Sequence, residues 1–417
     1  MPRTPRRALL AAALIAACAL APVTAAPTTA AAPATAATGG HATGGHATGN
    51  HRFDTHDGGD DCPPDGLGPE LTARLDTAIA DVRRQAAVPG VVVGLWMPGR
   101  GCYVRATGVA DTTTGAPMRT DDFVRIGSET KTFTVTALLQ LVDEHRIGLD
   151  DPISAHLDGV PGGDCITLRQ LAGMRSGLFP YTSDPGFVHD LLSDPRRSFT
   201  PQEALAYGFR HDNDFAPGTR FEYSNTNLVL LGLVVEKVTG RPLAEVLRER
   251  VLRPAGLRRT LLPRGAEFPV PHPHGYTDQT LSGATADATD WNPSWAWAAG
   301  AMISDLRDLR HWAEVVATGR LLSPATQAQR LATLPTGFPD TSYGLGILET
   351  GGWIGHNGSI PGYETVTVYL PAQRATLVVE INTDSTVQGQ EPSTLLARAI
   401  TRIVTPENVY AGAIATR

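Results

Sequence analysis

Arg125-Ile126-Gly127-Ser128-Glu129-Thr130-Lys131-Thr132-Phe133 is the stretch whose reading decides the fold. Gly127 is a helix-start signal, and an apolar periodic run follows it: Phe133, Val135, Leu138, Leu139, Leu141 and Val142. Ser128 and Lys131 are three apart, so they share one face of that helix with Cβ atoms about 5–6 Å apart. The chain hardly uses lysine otherwise: of its 35 basic residues, only Lys131 and Lys237 are not arginine. A guanidinium keeps its proton at any working pH, whereas an amine loses it once burial or a nearby cation lowers its pKa. A serine one turn from such an amine is a candidate nucleophile with its base.

Outward from this helix, Glu70 to Ala87 has helical spacing and stops at Val88-Pro89-Gly90. Val91–Met97 and Gly101–Ala106 read as strands around the turn Pro98-Gly99-Arg100. From Leu149 to about Ala299 the pattern is mostly helical with long Pro/Gly loops, notably Leu168–Met174, Pro201–Phe209, Leu228–Thr239 and Leu243–Val251. Strands return at Tyr343–Glu349, Trp353–His356, Tyr363–Leu370 and Ala375–Asn382, and Ser393–Val404 closes as a helix. Strands at both ends with helices between predict an α/β (α+β) fold. One antiparallel sheet is flanked by N- and C-terminal helices, and a large helical subdomain is inserted at about residues 149–299.

The chain has 417 residues, 42% hydrophobic and 18% charged, with net charge −7. That suits a globular core and argues against a nucleic-acid partner, which calls for a basic face. Residues 1–25 read as a signal peptide: Arg3, Arg6 and Arg7 precede the apolar run Ala8–Leu20, and Val23-Thr24-Ala25 is a small-residue cleavage site. The run is too short to span a membrane. Cleavage would take the net charge from −7 to −10, since three arginines leave. Secretion is expected, with lipid anchoring at Cys18 of Ile15-Ala16-Ala17-Cys18 as the alternative.

Residues 26–66 read as an Ala/Thr/Gly/His-rich linker, 67–405 as the folded domain and 406–417 as a C-terminal tail. The linker repeats Gly-His-Ala-Thr-Gly around His41 and His46, followed by His51; a solvated tail is favoured over a metal-binding one. In an oxidising compartment Cys62, Cys102 and Cys165 suggest one pair and one free thiol. Cys62–Cys102 would pin the linker to the first hairpin, leaving Cys165 as a buried small hydrophobe. No two cysteines have metal-ligand spacing, so no metal is expected.

Acyl transfer needs a nucleophile, a base, a proton route to the leaving group and donors for the oxyanion. Ser128 and Lys131 fill the first two positions. Two further stretches offer the rest. Phe221-Glu222-Tyr223-Ser224-Asn225 would project Tyr223 and Asn225 from a loop at a helix start, unless it is only a turn with a capping Asn and a core Tyr. A phenol can act as a base if neighbouring ammonium charge holds it as phenolate. Ile354-Gly355-His356-Asn357-Gly358-Ser359 offers a side-chain cation or donor and a close backbone approach, unless it is a glycine-rich turn with a solvent-facing His.

Taken together, Ser128-x-x-Lys131, Tyr223-x-Asn225 and His356-x-Gly358 resemble the three motifs of the serine β-lactamase and penicillin-binding superfamily, in family order. Tyr in the second motif and His in the third resemble the branch of class C β-lactamases and soluble secreted D-alanyl-D-alanine carboxypeptidases. The resemblance runs from about Leu67 to Val404. It implies that Ser128 is acylated, that Lys131 and Tyr223 move protons, and that Asn225 holds the substrate amide. It also implies an oxyanion hole from the backbone N–H groups of Ser128 and Ser359, past Gly358. His356 and the Ser359 hydroxyl would face the leaving side, and Trp295 would form an aromatic wall. No cofactor is implied, and a monomer acting on a small-molecule or peptide substrate is expected, peptidoglycan stem peptides or β-lactams among them.

One departure narrows the substrate. The carboxypeptidases carry an Arg after the Tyr-Gly-Leu-Gly strand, whereas here Tyr343-Gly344-Leu345-Gly346 leads to Ile347-Leu348-Glu349. Without that cation a free C-terminus should bind less well by about a kcal/mol or more. A D-amino-acid peptidase or a carboxylesterase gains from this; a non-turnover penicillin-binding sensor is the alternative outside enzymology.

Overall fold

The computed structural model describes Cys62 and residues 66–412; the expected signal peptide, Cys18 and the His repeat lie outside them. Helix α1 (Pro69–Gln85) leads into strands β1 (Gly90–Met97) and β2 (Gly101–Gly108). The remaining strands of the main sheet are β3 (Leu334–Pro335), β4 (Thr341–Tyr343), β5 (Leu348–Thr350), β6 (Trp353–Ile360), β7 (Tyr363–Leu370) and β8 (Ala375–Ile381). The eight run in the order β2-β1-β8-β7-β6-β5-β4-β3, each pair antiparallel. The two termini thus meet at β1 and β8, where Val91 faces Ile381 and Trp96 faces Thr376.

Strand alternation assigns the two faces of this sheet. Val91, Val93, Leu95, Val366, Val368, Leu377 and Val379 point to one side, beneath α1 and the closing helix α5 (Pro392–Val404). The buried positions of α5, Leu396, Ala397, Ile400 and Val404, recur at helical spacing, so one stripe of it lies on the sheet. The other face carries α2 (Thr130–Asp143) and α4 (Leu306–Thr318), with α3 (Asn225–Thr239) packed on α2. Helix α2 is buried on nearly every side, polar Thr130, Lys131, Thr132, Thr134 and Thr136 included, instead of burying a single apolar stripe. Phe133 stacks on Trp312 of α4 with ring centroids 4.0 Å apart.

Several sequence expectations change here. Tyr343–Glu349 is not one strand: the chain reverses between β4 and β5, with Gly344 N donating to Ile347 O and Gly346 at φ 61°. The strand expected over Trp353–His356 does not stop there: β6 continues through Asn357 and Gly358 to Ile360, so the alternative of a glycine-rich turn does not form. Residues 406–412 are not a free tail. Trp353 Nε1 donates to Asn408 O at 2.8 Å, and Tyr410 is fully buried against the sheet. Cys62 and Cys102 form the expected disulfide. Cys165 departs from expectation: it is exposed, and no described cysteine is a free thiol. Among the described residues no helix is long and apolar enough to cross a membrane, and no group of three or more His, Cys, Asp or Glu could hold a metal ion.

Candidate active site

Ser128 lies in a single tight turn, Gly127–Glu129, that feeds directly into α2. Gly127 sits at φ 48°, in the left-handed region. A Cβ there would come within 2.7 Å of Ser359 N, and one on Gly358 would come within 2.0 Å of Ile126 O. Two glycines therefore let β6 lie against the nucleophile turn, past the point where β5 stops pairing at Gly355. This contact brings the Ser359 backbone nitrogen next to the residue preceding Ser128.

Lys131 is wholly buried one turn along. Its Nζ is 2.9 Å from Ser128 Oγ, 2.8 Å from Asn225 Oδ1 and 2.7 Å from Ala299 O. Burial pushes its pKa well below that of a free lysine. The neutral amine has two hydrogens and one lone pair. The Ala299 carbonyl and the Asn225 amide oxygen can only accept, so they take the hydrogens and the lone pair is left for the Ser128 hydroxyl. In this neutral form the serine is the donor and the lysine the acceptor; an ammonium would donate to all three. Asn225 is the first residue of α3, one position further into the helix than a loop residue, and its Oδ1 is committed to Lys131.

The Tyr223 ring lies 4.8 Å from Lys131 Nζ, measured to its centroid. Although the ring is half-exposed, its hydroxyl is out of solvent and has no well-aligned hydrogen-bond partner among the described residues. Burial raises its pKa well above that of free tyrosine, Tyr343 adds to the rise, and the nearby Ser128 hydroxyl offsets only part of it. Tyr223 is therefore a neutral phenol, not the phenolate base considered from sequence. Proximity to Ser128 without alignment leaves it free to turn toward a ligand.

His356 also departs from expectation. Burial, and then the neighbouring Lys131, push its pKa down to about 3. Its Nδ1 is 2.5 Å from the Asn357 carbonyl, which can only accept, so Nδ1 carries the proton. Nε2 then accepts from the Tyr343 hydroxyl at 3.0 Å. His356 is consequently neither a cation nor a solvent-facing residue but a buried spacer. Tyr343, not singled out from sequence, holds it and meets Tyr223 edge-on at 6.5 Å. Ser359, by strand alternation, shares a face with Asn357 and the opposing Glu364 instead of with His356. Its main chain, not its hydroxyl, is what the strand presents beside Ser128.

Trp295 bridges the helical part and the β6–β7 end of the sheet. Its ring meets Phe187 edge-on at 5.9 Å and packs against the cluster of Ile360 and Tyr363. Behind the nucleophile, Glu129 is fully buried with neither carboxylate oxygen in a well-aligned bond, facing Thr365 and Thr367. Burial raises its pKa to about 8, the threonine hydroxyls holding the rise back only in part. Glu380, on the strand paired with Thr365, is buried and shifted upward for the same reason. Arg330, also buried, donates to Thr132 O and Thr136 Oγ1 of α2 and has no carboxylate partner among the described residues. Glu349, which follows Gly346 where the carboxypeptidases carry an Arg, accepts from Ser342 Oγ at 2.6 Å and from Gly352 N.

A buried serine–amine pair, on a helix packed against an antiparallel sheet, defines a class of serine hydrolases that work by acyl transfer. The chain belongs to the Beta-lactamase family, whose pattern matches residues 75–401, within the β-lactamase and penicillin-binding serine-hydrolase superfamily. It is similar to a D-aminopeptidase of Brucella anthropi, 30% identical over 326 residues that cover 75% of this chain. It spans 59% of the length of that relative. Among solved structures, a D-stereospecific amidohydrolase from Streptomyces sp. is 34% identical with a TM-score of 0.69, covering 75% of this chain and 94% of that one. The D-amino acid amidase from Ochrobactrum anthropi SV3, complexed with L-phenylalanine amide, gives 30% identity and a TM-score of 0.72 over 81% of this chain and 98% of that one.

Proposed function

We propose that this protein hydrolyses amide bonds at D-amino-acid residues through an acyl-enzyme on Ser128. The observation that carries the reading is the hydrogen-bond set of Lys131, which leaves its lone pair on the Ser128 hydroxyl. Ser128 Oγ attacks the substrate carbonyl as its proton passes to Lys131 Nζ. The oxyanion is met by the backbone N–H groups of Ser128 and Ser359. When the C–N bond breaks, the leaving amine takes a proton from the Tyr223 hydroxyl, which is replenished from Lys131. Water then attacks the ester by the reverse proton route, releasing the acid and restoring Ser128. Asn225 offers its Nδ2 to the substrate amide, and Trp295 forms an apolar wall.

The relatives named for D-aminopeptidase, D-amidohydrolase and D-amino acid amidase activity support the D-amide preference. So does the sequence after Gly346, Ile347-Leu348-Glu349, which lacks the Arg of the carboxypeptidases. The D-alanyl-D-alanine carboxypeptidase or β-lactamase reading uses the same chemistry on a different ligand and ranks second for that reason. Export to an oxidising compartment belongs to the proposal, supported by the N-terminal signal pattern and the Cys62–Cys102 disulfide. The test compares a D-amino-acid amide, its L enantiomer and a D-Ala-D-Ala free acid on wild type and Ser128→Ala. The D amide should be preferred and Ser128→Ala inactive. Preference for the free acid would move the protein to the carboxypeptidase reading, and an active Ser128→Ala would remove the serine mechanism.

A further inference from the structure

Lys131 takes one of its two fixed acceptors from a backbone carbonyl, and the segment supplying it is held in an unusual way. Ala299 belongs to the short helical turn Trp297–Gly300. This segment runs alongside the nucleophile helix and is tied to it repeatedly. Thr134 Oγ1 donates to Ala298 O at 2.7 Å, Met302 N donates to Thr130 Oγ1 at 3.1 Å, and Ile126 N donates to Met302 O at 3.0 Å. The turn opens on Trp297 at φ 31°, a backbone conformation that costs a bulky residue energy and persists only when its surroundings impose it. The surroundings here are α3. A Cβ on Gly232 would lie 2.6 Å from Ala298 Cβ and 2.8 Å from the Trp297 ring, so the indole is seated where α3 has no side chain. The same helix begins with Asn225, the other acceptor of Lys131.

We infer that Trp297, seated on Gly232 of α3, is a positioning residue that aims the Ala299 carbonyl at Lys131 and so fixes which way the base presents its lone pair. The inference rests on the proposed serine mechanism. With the carbonyl in place, both amine hydrogens are occupied and Ser128 must donate. With the carbonyl withdrawn, an N–H is released to turn onto Ser128 Oγ, and the pair is then reversed and cannot start the reaction. The carbonyl also favours the ammonium form, so losing it lowers the pKa of Lys131 further. The other titratable groups facing this amine, Tyr223 from the start of α3 and His356 from β6, are both neutral over the working range.

Trp297→Gly removes the ring and frees the backbone, and Gly232→Ala pushes the ring and Ala298 off the helix. Each variant is assayed on a D-amino-acid amide across pH, with active sites counted by burst titration. The expected result is a kcat per active site lower by roughly 10- to 100-fold with KM little changed, and an acid limb of kcat/KM moved to lower pH. A merely structural role would reduce the number of active sites and leave the limb in place. Should Trp297→Gly fail to fold, Gly232→Ala carries the test. An unchanged limb and a wild-type kcat per site in Gly232→Ala, with Ser128→Ala inactive, would overturn this inference alone. An active Ser128→Ala would instead overturn the mechanism on which it stands.

Discussion

Replacing Glu129 by Gln should make the protein more stable at alkaline pH and leave it nearly unchanged in acid. Glu129 has no ion pair and no well-aligned donor among the described residues, and burial raises its pKa from 4.5 to about 8. The folded protein therefore holds a proton on this side chain that the unfolded chain has lost above pH 4.5. The stabilisation from that proton is complete below the unfolded pKa, declines as pH rises, and is gone above the folded value. At about 1.4 kcal/mol per pKa unit, the difference between pH 4.5 and pH 8 is of order 4–5 kcal/mol. Gln keeps the shape without the ionisation, so its stability curve should lack this decline. Urea unfolding of both proteins at pH 5 and pH 9 measures the difference directly. A wild-type-minus-variant gap that is the same at both pH values would refute the reasoning, because it would mean Glu129 ionises as freely inside the fold as outside it.

Other consequences are as direct. Lys131→Arg puts a permanent cation in place of the titratable amine, so acylation should fall by orders of magnitude in a stopped-flow assay. Gly358→Ala would place a methyl 2.0 Å from Ile126 O, forcing β6 off the nucleophile turn. A loss of about 1–3 kcal/mol in unfolding free energy and at least a tenfold lower kcat is expected. Cutting the Cys62–Cys102 link by a Cys102→Ser change should cost about 4 kcal/mol from loop entropy across a sequence separation of 40, read as a lower urea midpoint.

The nucleophile pair was legible because side-chain spacing on a helix is local: three residues apart in sequence is one turn apart in space. The strands β1, β7 and β8 and the helix α5 were legible to within a residue or two, since continuous burial of one face leaves a periodic record. What sequence could not supply was charge state. His356 looked like a cation because an isolated imidazole titrates near neutrality, and only its place beneath Tyr343 and beside Lys131 makes it neutral. The phenolate reading of Tyr223 leans on a neighbouring ammonium charge, and burial of the hydroxyl outweighs it. The Ala299 carbonyl left no trace at all, because every residue has one. The close backbone approach expected at Gly358 is made to the Ile126 carbonyl, while the strand carrying it runs four residues beyond its expected end at His356.

The scarcity of lysine acquires a practical meaning once the two are located. Lys131 is sealed inside the fold, whereas Lys237 is exposed in the last turn of α3. Among the described residues the surface therefore presents a single side-chain amine. Twelve residues of helix separate it from Asn225, about 18 Å along the axis at 1.5 Å per residue. Once the chain's α-amino group is blocked, an amine-directed dye or resin would attach to the folded domain at one known point, on the far end of the helix that begins in the active site. Every molecule on such a support would present its cleft in the same orientation.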